Sequence, residues 1–312
     1  MDLTVLICTY NRRADVVALL DTVQNQQTGG RFEYEVIVVD NNSSDGTGQA
    51  LAGRAGIRLL SESRQGKSYA LETGIAAASG EVLFVVDSDQ LLPPGYLLRA
   101  WEGIQSRPAV AIYGGKVLPL WPEDPPAWLT PEHWSPLAML DMGDEPFEFT
   151  ATRPICLLVP LYRMAPLRAA NGFKLGMSVS KGQIGGVEDA DLSLRLLRAG
   201  YSGYYDPALL IQHKVEPDRL TRAYHRRWHA GHGYFRARLR EPGFEQARFH
   251  PFGIPTHLLR ATAAAAAAWA GNRLLGRGET AFLWETLLCF YWGFMRQRFR
   301  EQRAPSQPEA YA

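Results

Sequence analysis

Short apolar runs followed by polar side chains are the feature that most constrains how this chain folds. Four such runs lie in the first 90 residues, at 3–8, 35–39, 57–60 and 82–86. A nearly continuous apolar run of this length is typical of a strand that is buried on both faces. Helical patterns and loops separate the runs, and this alternation predicts a parallel sheet covered by helices on both faces.

Three of the four predicted strands end in clusters of polar side chains. These clusters are Thr9-Tyr10-Asn11, Asp40-Asn41-Asn42 and Asp87-Ser88-Asp89. Ligands of parallel α/β sheets bind beyond the carboxyl ends of the strands, so we expect the three clusters to line one ligand site. Capping of the turns that follow the strands is the alternative explanation for Asp40 and Asp45.

Asp87 and Asp89 indicate the kind of ligand. In extended backbone, side chains two residues apart point the same way and lie ~7 Å apart. Two like charges at one strand end are unfavourable unless a cation or hydrogen-bond donors compensate them. A hard divalent ion that keeps some of its waters and binds phosphate oxygens suits this pair.

Four motifs in this order resemble those of bacterial family 2 glycosyltransferases with the GT-A fold. They are Thr-Tyr-Asn-Arg at 9–12, Val-Val-Asp-Asn-Asn-Ser-Ser-Asp-Gly-Thr at 38–47, Asp-Ser-Asp at 87–89 and Gly-Val-Glu-Asp-Ala-Asp-Leu at 186–192. The resemblance covers about residues 2–215. It implies an α/β fold with a mixed, mainly parallel sheet flanked by helices, extended here by a C-terminal helical region.

The resemblance also implies roles for the residues in the strand-end clusters. Thr9 and Tyr10 would line the nucleotide base pocket, Asp40 would hydrogen-bond the base, and Asp87 would lie near the ribose. Asp89 would hold Mn²⁺ or Mg²⁺ on the diphosphate. His213 is either a further metal ligand or an ordinary core or surface histidine. The remaining residues expected in the nucleotide-sugar site are Asn11, Arg12, Asn42 and Ser88.

The Glu-Asp pair at 188–189 matches the family's catalytic motif. The resemblance implies that Asp189 is the catalytic base and that Glu188 orients acceptor or donor hydroxyls. Helix capping is the alternative, because acidic residues favour the first turn of a helix. The family's Ala-Arg-Asn-x-Gly segment is altered here to Ala-Leu-Glu-Thr-Gly at 70–74, so Arg64 or Lys67 is expected to supply the missing positive charge.

The two ends of the chain differ in charge. Residues 1–212 carry 17 Lys/Arg against 24 Asp/Glu, whereas residues 213–312 carry 16 against 8. We expect a catalytic domain at 1–215, divided at about 115 into nucleotide-sugar-binding and acceptor-binding halves. A basic, aromatic-rich helical region at 216–303 and a disordered tail at 304–312 would follow. The opposite charge of the two regions suggests two surfaces with different tasks.

Several observations bear on partners and location. The basic region is expected to contact an anionic membrane peripherally or to pack against the catalytic domain or a second subunit in a homodimer. No nucleic-acid-binding motif accompanies it. Three widely spaced cysteines indicate neither a disulfide framework nor a cysteine metal site. The chain opens without a secretory-type basic segment, so a cytoplasmic location, at the cytoplasmic face of a membrane, is expected.

The predicted function is therefore metal-assisted, inverting transfer of a sugar from a nucleotide sugar to a hydroxyl of a lipid-linked or polysaccharide acceptor. A catalytically silent glycan-binding or scaffold subunit of a polysaccharide assembly complex is one alternative. The other is a sugar-phosphate nucleotidyltransferase, which would need a Gly-rich basic loop after the first strand, where 9–13 reads Thr-Tyr-Asn-Arg-Arg. An NAD-binding fold is disfavoured because no Gly-x-Gly-x-x-Gly follows that strand.

Overall fold

The computed structural model describes residues 1–180 and 182–303, and the predicted tail at 304–312 lies outside this range. The described chain forms two compact units. The catalytic unit comprises residues 1–124, 137–180 and 188–217. The helical unit comprises residues 125–136, 182–187 and 218–303. The expected division of the catalytic region near residue 115 stays a prediction.

The catalytic unit contains one mixed sheet. Its strands are β1 Leu3–Thr9, β2 Tyr34–Asp40, β3 Arg58–Ser61, β4 Val82–Asp87, β5 Gln90–Leu91, β6 Val110–Leu120, β7 Phe147–Phe149, β8 Leu161–Arg163 and β9 Ser202–Lys214. Its helices are α1 Arg13–Gln24, α2 Thr47–Leu51, α3 Lys67–Ala77, α4 Tyr96–Gln105, α5 Met164–Ala169 and α6 Glu188–Arg198. Strands and helices alternate in the first half, as the apolar runs predict.

The strand order is β3-β2-β1-β4-β8-β6-β9-β5, with β7 paired to β9. Strands β1 to β4 are parallel to one another, and the antiparallel β8 follows β4 in the sheet. Two apolar layers cover the faces of the sheet, because residues from alternate positions of β1 fall into different clusters. The expected α/β fold with a sheet flanked by helices is confirmed.

The helical unit is built mainly from α7 Arg222–Leu239, α8 Pro242–Glu245, α9 Thr256–Leu274 and α10 Gly278–Arg303. None of the helices in the described part of the chain combines the length and the apolar character that crossing a bilayer requires. A small core contains Ala237, Leu258, Phe290 and Phe294.

Glycines allow α7 and α10 to approach closely. A Cβ atom added to Gly293 would lie 1.9 Å from the carbonyl oxygen of Ala230, and one added to Gly233 would lie 2.0 Å from that of Phe290. Neither carbonyl can move away by a change of rotamer, because both belong to helix backbone. The two helices can therefore touch only while these positions carry no side chain.

We expect Gly293→Ala to lower the free energy of unfolding by about 1–3 kcal/mol, the usual cost of overpacking. The higher helix propensity of alanine offsets roughly 1 kcal/mol of the clash. Gly271→Ala in α9 is the matched control, because no atom lies within 4 Å of the added Cβ. That variant should be as stable as the parent or more so. Denaturant unfolding followed by circular dichroism measures both, and equal stability of the two variants would contradict the steric argument.

Candidate active site

The loops that follow β1 and β2 are tied together at the carboxyl edge of the sheet. The Asn11 backbone N–H donates to Ser43 Oγ at 2.9 Å, and the Ser44 N–H donates to Asn11 Oδ1 at 2.7 Å. Asn11 and Asn42 have left-handed backbones with φ of 50° and 64°, a conformation that asparagine tolerates better than most residues. These contacts bring the first two predicted clusters together.

Asp45 has the turn-capping role that was considered for it. Its carboxylate accepts from the N–H groups of Arg13 and Thr47 at 3.1 and 3.0 Å. Asp40 differs, because only its Oδ1 accepts a hydrogen bond that closes the turn, from the Ser43 N–H at 3.1 Å. Thr9 at the end of β1 is buried, and its Oγ1 has no hydrogen-bond partner among the described residues. Tyr10 and Asn42 are exposed beside it.

Asn41 is a positioning residue that sequence reasoning did not single out. Its side chain is buried and donates to the carbonyl oxygens of Glu62 and Arg64 at 3.0 and 2.7 Å. Its Oδ1 accepts from the Gly66 N–H at 2.8 Å. Gly66 has φ 142°, so this loop needs glycine immediately before α3. Asn41 therefore fixes the loop that delivers Lys67.

Lys67, the first residue of α3, joins two carboxylates from distant parts of the chain. Its Nζ lies 2.8 Å from Asp87 Oδ1 and 3.1 Å from Glu188 Oε1. Burial lowers the pKa of Lys67, but the charges of Asp87 and Glu188 outweigh it and hold the pKa well above the ordinary value. Lys67 is therefore a permanent cation between the end of β4 and the start of α6.

Arg64 has a different environment. It forms a two-pronged ion pair with Glu62, with bonds of 3.0 and 2.7 Å, and a further pair with Glu72 at 3.2 Å. Its charge is thus already balanced within the loop. Of the two cations expected to replace the missing family arginine, Lys67 is the one that lies at the acidic cluster.

Asp189 follows Glu188 in the first turn of α6. Burial, followed by the charges of Glu188 and Asp87, raises the pKa of Asp189 to about 8, against the lowering effect of Lys67. Burial thus outweighs the lowering of the pKa that a position at a helix N-terminus would give this carboxyl. Two residues on, Asp191 is a structural acid, because Arg195 holds it with bonds of 2.8 and 2.7 Å.

The pairing of β5 with β9 brings Asp89 beside His213. Gln90 pairs with His213 in the sheet, and the Lys214 N–H donates to the Asp89 carbonyl at 2.8 Å. As a result, His213 Nδ1 lies 3.6 Å from Asp89 Oδ1, with both side chains buried. A carboxylate and an imidazole nitrogen at this distance are a suitable partial ligand set for a divalent ion.

The described residues contain no group of three or more His, Cys, Asp or Glu side chains that could hold a metal ion. An ion at Asp89 would therefore need most of its ligands from phosphate oxygens and water, as Mg²⁺ and similar ions often have. Asp89 and His213 therefore suit a metal ion that binds together with a phosphorylated ligand. The sequence spacing predicts that Asp87 and Asp89 act as a pair. In the structure Asp87 contacts Lys67, whereas Asp89 lies beside His213.

Arg12 and Gln90 are further polar residues that act on Asp89 and Asp87. Arg12 forms ion pairs with Asp15, at 3.3 Å, and with Glu216. Burial lowers the pKa of Arg12, but Asp89 and Glu216 raise it further, so it stays charged. Gln90 Oε1 accepts from the Asp87 N–H at 2.9 Å, while its buried Nε2 has no partner among the described residues. Ser88 is buried between the two aspartates.

The chain is similar in sequence to known glycosyltransferases. The sequence model described as "Glycosyl transferase family 2" matches residues 4–147. A dolichol-phosphate mannosyltransferase of Pyrococcus furiosus is 33% identical over 126 residues, which are 38% of this chain and 35% of that protein. The glycosyltransferase AglE of Haloferax volcanii is 35% identical over 119 residues, 36% of this chain and 38% of its own. The chain thus matches little more than a third of these relatives.

Solved structures extend the likeness of fold over almost the whole chain. The mannosyltransferase PcManGT from Pyrobaculum calidifontis, in complex with GDP-Man and Mn²⁺, has a TM-score of 0.60 at 22% identity and covers 97% of this chain and 88% of its own. S. aureus TarS 1–349 in complex with UDP has a TM-score of 0.52 at 16% identity, covering 97% and 91%. The family match and the strand-end motifs therefore identify residues 4–147 as a glycosyl transferase family 2 region, and the sheet is of the GT-A type.

Proposed function

We propose that this chain transfers a sugar from a nucleotide-sugar donor to a hydroxyl group of a glycan or lipid-linked acceptor, with inversion. The observation that carries the proposal is the contact of Lys67 with both Asp87, at the end of β4, and Glu188, at the start of α6, next to Asp189. The relative described as a dolichol-phosphate mannosyltransferase and the solved structures in complex with GDP-Man and UDP support a nucleotide-linked donor.

The donor would occupy the edge formed by the ends of β1, β2 and β4. Buried Thr9 Oγ1, which has no partner among the described residues, and the Asp40 carboxylate are suited to hydrogen-bond a nucleotide. Asp87 would approach the ribose, and Arg12 and Lys67 would offset the phosphate charge. A divalent ion on Asp89 and His213, for which the Mn²⁺ in PcManGT is support, would neutralise charge on the leaving diphosphate.

Asp189 would take the proton of the acceptor hydroxyl as its oxygen bonds to the anomeric carbon. The bond from that carbon to the diphosphate breaks, and the nucleoside diphosphate leaves with the electron pair. A single displacement of this kind inverts the anomeric configuration. Glu188, held by Lys67, would orient hydroxyl groups beside the base. A silent scaffold subunit is the less favoured function, because it has no need for the carboxylates of Asp87, Glu188 and Asp189 to be grouped around a lysine.

The helical unit offers a surface for the membrane contact that we propose for residues after about 218. Residues 246–278 contain four arginines and no Asp or Glu. Six of the exposed large apolar side chains of the chain fall in this segment, namely Phe249, Phe252, Leu259, Trp269, Leu274 and Leu275. Exposed apolar side chains flanked by arginines suit the interface of an anionic bilayer. A second copy of the chain is the alternative partner for this surface.

Removing the proposed metal ligand should abolish metal-dependent donor binding. We expect Asp89→Ala to lose the stabilisation that a nucleotide sugar with Mn²⁺ gives the parent, about 2.7 kcal/mol at 100 times the Kd. A thermal-shift panel of nucleotide sugars with and without Mn²⁺ measures this. Asp144→Ala, which removes an exposed carboxylate, is the control and should respond like the parent. Undiminished transfer in excess EDTA would contradict the metal requirement.

Removing the proposed base should impair chemistry while sparing binding. Asp189→Asn is expected to bind donor and metal almost normally and to lower the transfer rate by about 10²–10⁴, the usual contribution of a positioned base. Glu188→Gln is the comparison, because it is adjacent and equally acidic. Normal turnover by Asp189→Asn together with an inactive Glu188→Gln would exchange the two roles.

The pH profile and the product stereochemistry test the same assignment. Because only the carboxylate form accepts a proton, the raised pKa of Asp189 predicts a rate that climbs as the pH rises through about 8. This limb should vanish in Asp189→Asn. NMR of the product reports the anomeric configuration, and retention of the donor's configuration would exclude a single displacement.

Membrane contact is testable by vesicle flotation. The full-length protein should bind anionic vesicles, and binding should weaken with salt, because exposed charges are screened over ~8–10 Å at moderate ionic strength. Leu274→Ser with Leu275→Ser should weaken binding by at least about tenfold, given the worth of a buried leucine. Leu175→Ser, an exposed leucine of the catalytic unit, is the control. Failure of the parent to bind at low salt would favour the second copy instead.

A further inference from the structure

The helical unit contains a pocket of about 290 Å³ whose charged lining is entirely basic. It is lined by Arg227 and Tyr234 of α7, by Trp292, Arg296 and Arg300 of α10, and by Ile184 with its neighbours. No lining residue is a carboxylate. The pocket belongs wholly to the helical unit, so its properties do not depend on the candidate active site.

The three arginines of this pocket differ from others on the same helices. Arg226 of α7 pairs with Glu285 at 2.6 Å, Arg236 of α7 pairs with Glu241, and Arg298 of α10 pairs with Glu245. Within the described residues, by contrast, no ion pair engages Arg227, Arg296 or Arg300. Arg296 and Arg300 stand four residues apart on α10, a spacing at which like charges repel. The pocket therefore has an excess of positive charge that an anion would balance.

The shape of the pocket follows from the close contact of α7 and α10. Ala230, Gly231 and Gly293 line its floor, and a Cβ atom on Gly231 would lie 2.2 Å from the carbonyl oxygen of Ile184. Backbone thus forms the floor, and long side chains form the walls. Trp292 is 54% exposed, yet the Arg296 guanidinium lies over its ring at 4.9 Å. This contact places Arg296 without neutralising its charge.

The walls combine cationic and apolar groups. Ile184, Tyr234, Phe235 and Trp292 provide apolar surface next to the guanidinium groups. A phosphate group carries up to two negative charges and matches the planar donors of arginine. The volume leaves room for such a group together with part of an attached chain.

We propose that this pocket binds the phosphate group of a molecule that also carries an apolar chain. If the bound molecule is the sugar acceptor, this proposal rests on the proposed sugar transfer. The lining segment 182–184 is followed in the sequence by Glu188 and Asp189. Binding of a phosphate group, by contrast, depends only on residues of the helical unit. A soluble phosphate ester carries the same anionic group, and the experiment distinguishes it from a phosphate that is attached to an apolar chain.

Isothermal titration calorimetry of the full-length protein with octyl phosphate tests the proposal. The titration is done in EDTA, without a nucleotide sugar and at low salt, so that its outcome does not depend on transfer. We expect binding that octanol does not reproduce and that glucose 6-phosphate reproduces only weakly. Arg296→Gln with Arg300→Gln should weaken octyl phosphate binding by about tenfold or more, because a hydrogen bond to a charged group is worth ~1.5–3 kcal/mol.

Arg260→Gln with Arg273→Gln provides the matched control, since both arginines belong to α9 and neither lines the pocket. This double variant should bind octyl phosphate like the parent. Equal binding by the pocket variant and the parent would overturn the site. Equal affinity for glucose 6-phosphate and octyl phosphate would overturn the apolar part and assign the pocket to soluble phosphates. Octyl phosphate binding in a protein that transfers no sugar would leave the pocket standing and refute the proposed function.

Discussion

The contact of Lys67 with Asp87 and Glu188 is the interaction on which the candidate active site depends. The carboxylates of Asp87, Glu188 and Asp189 act on one another and on Lys67, and burial would make so much like charge costly without a cation. Lys67 supplies that cation, and it joins the end of β4 to the start of α6 across more than 100 residues of sequence. Asn41 and Gly66 fix the loop before it. The position of Lys67 is therefore as important for the site as the positions of its carboxylates.

Much of this architecture could be predicted from sequence, for identifiable reasons. The strands of the first half are marked by apolar runs, and polar residues at their ends meet because the strands are parallel. Asp89 was identified from its spacing to Asp87 and His213 from the family resemblance, and only the β5–β9 pairing shows that they are neighbours. Asn41 was expected to line the ligand site with its neighbours, but its side chain is bonded to backbone groups 21–25 residues away. Whether a polar side chain faces a ligand or its own backbone is not encoded in local pattern.

Charge in the C-terminal region shows the same limit. Counting residues identifies an excess of Lys and Arg, but it does not distinguish arginines that are neutralised from those that are not. On α10, Arg298 has a carboxylate partner, whereas Arg296 and Arg300 on either side of it have none among the described residues. The pocket between the two helices thus contains three arginines that have no ion pair among the described residues, and the segment 246–278 contains no Asp or Glu. Function in this unit follows from the pairing of charges rather than from their number.

The pKa of Asp189 illustrates how magnitudes decide between two opposing effects. A helix N-terminus stabilises a carboxylate by about 0.3–1 kcal/mol, which corresponds to less than one pKa unit, since each unit is worth about 1.36 kcal/mol. Burial can shift the pKa of a carboxyl group by several units, so burial determines the direction. Lys67 opposes burial, but its charge is shared with Asp87 and Glu188. Below pH 8 the proposed base is then mostly protonated, while its ionised fraction is a stronger base than an ordinary aspartate. The rate near neutrality should therefore follow the fraction of molecules in which Asp189 is ionised. A change that lets Lys67 pair with Asp189 alone would raise that fraction, but it would also make the ionised Asp189 a weaker base.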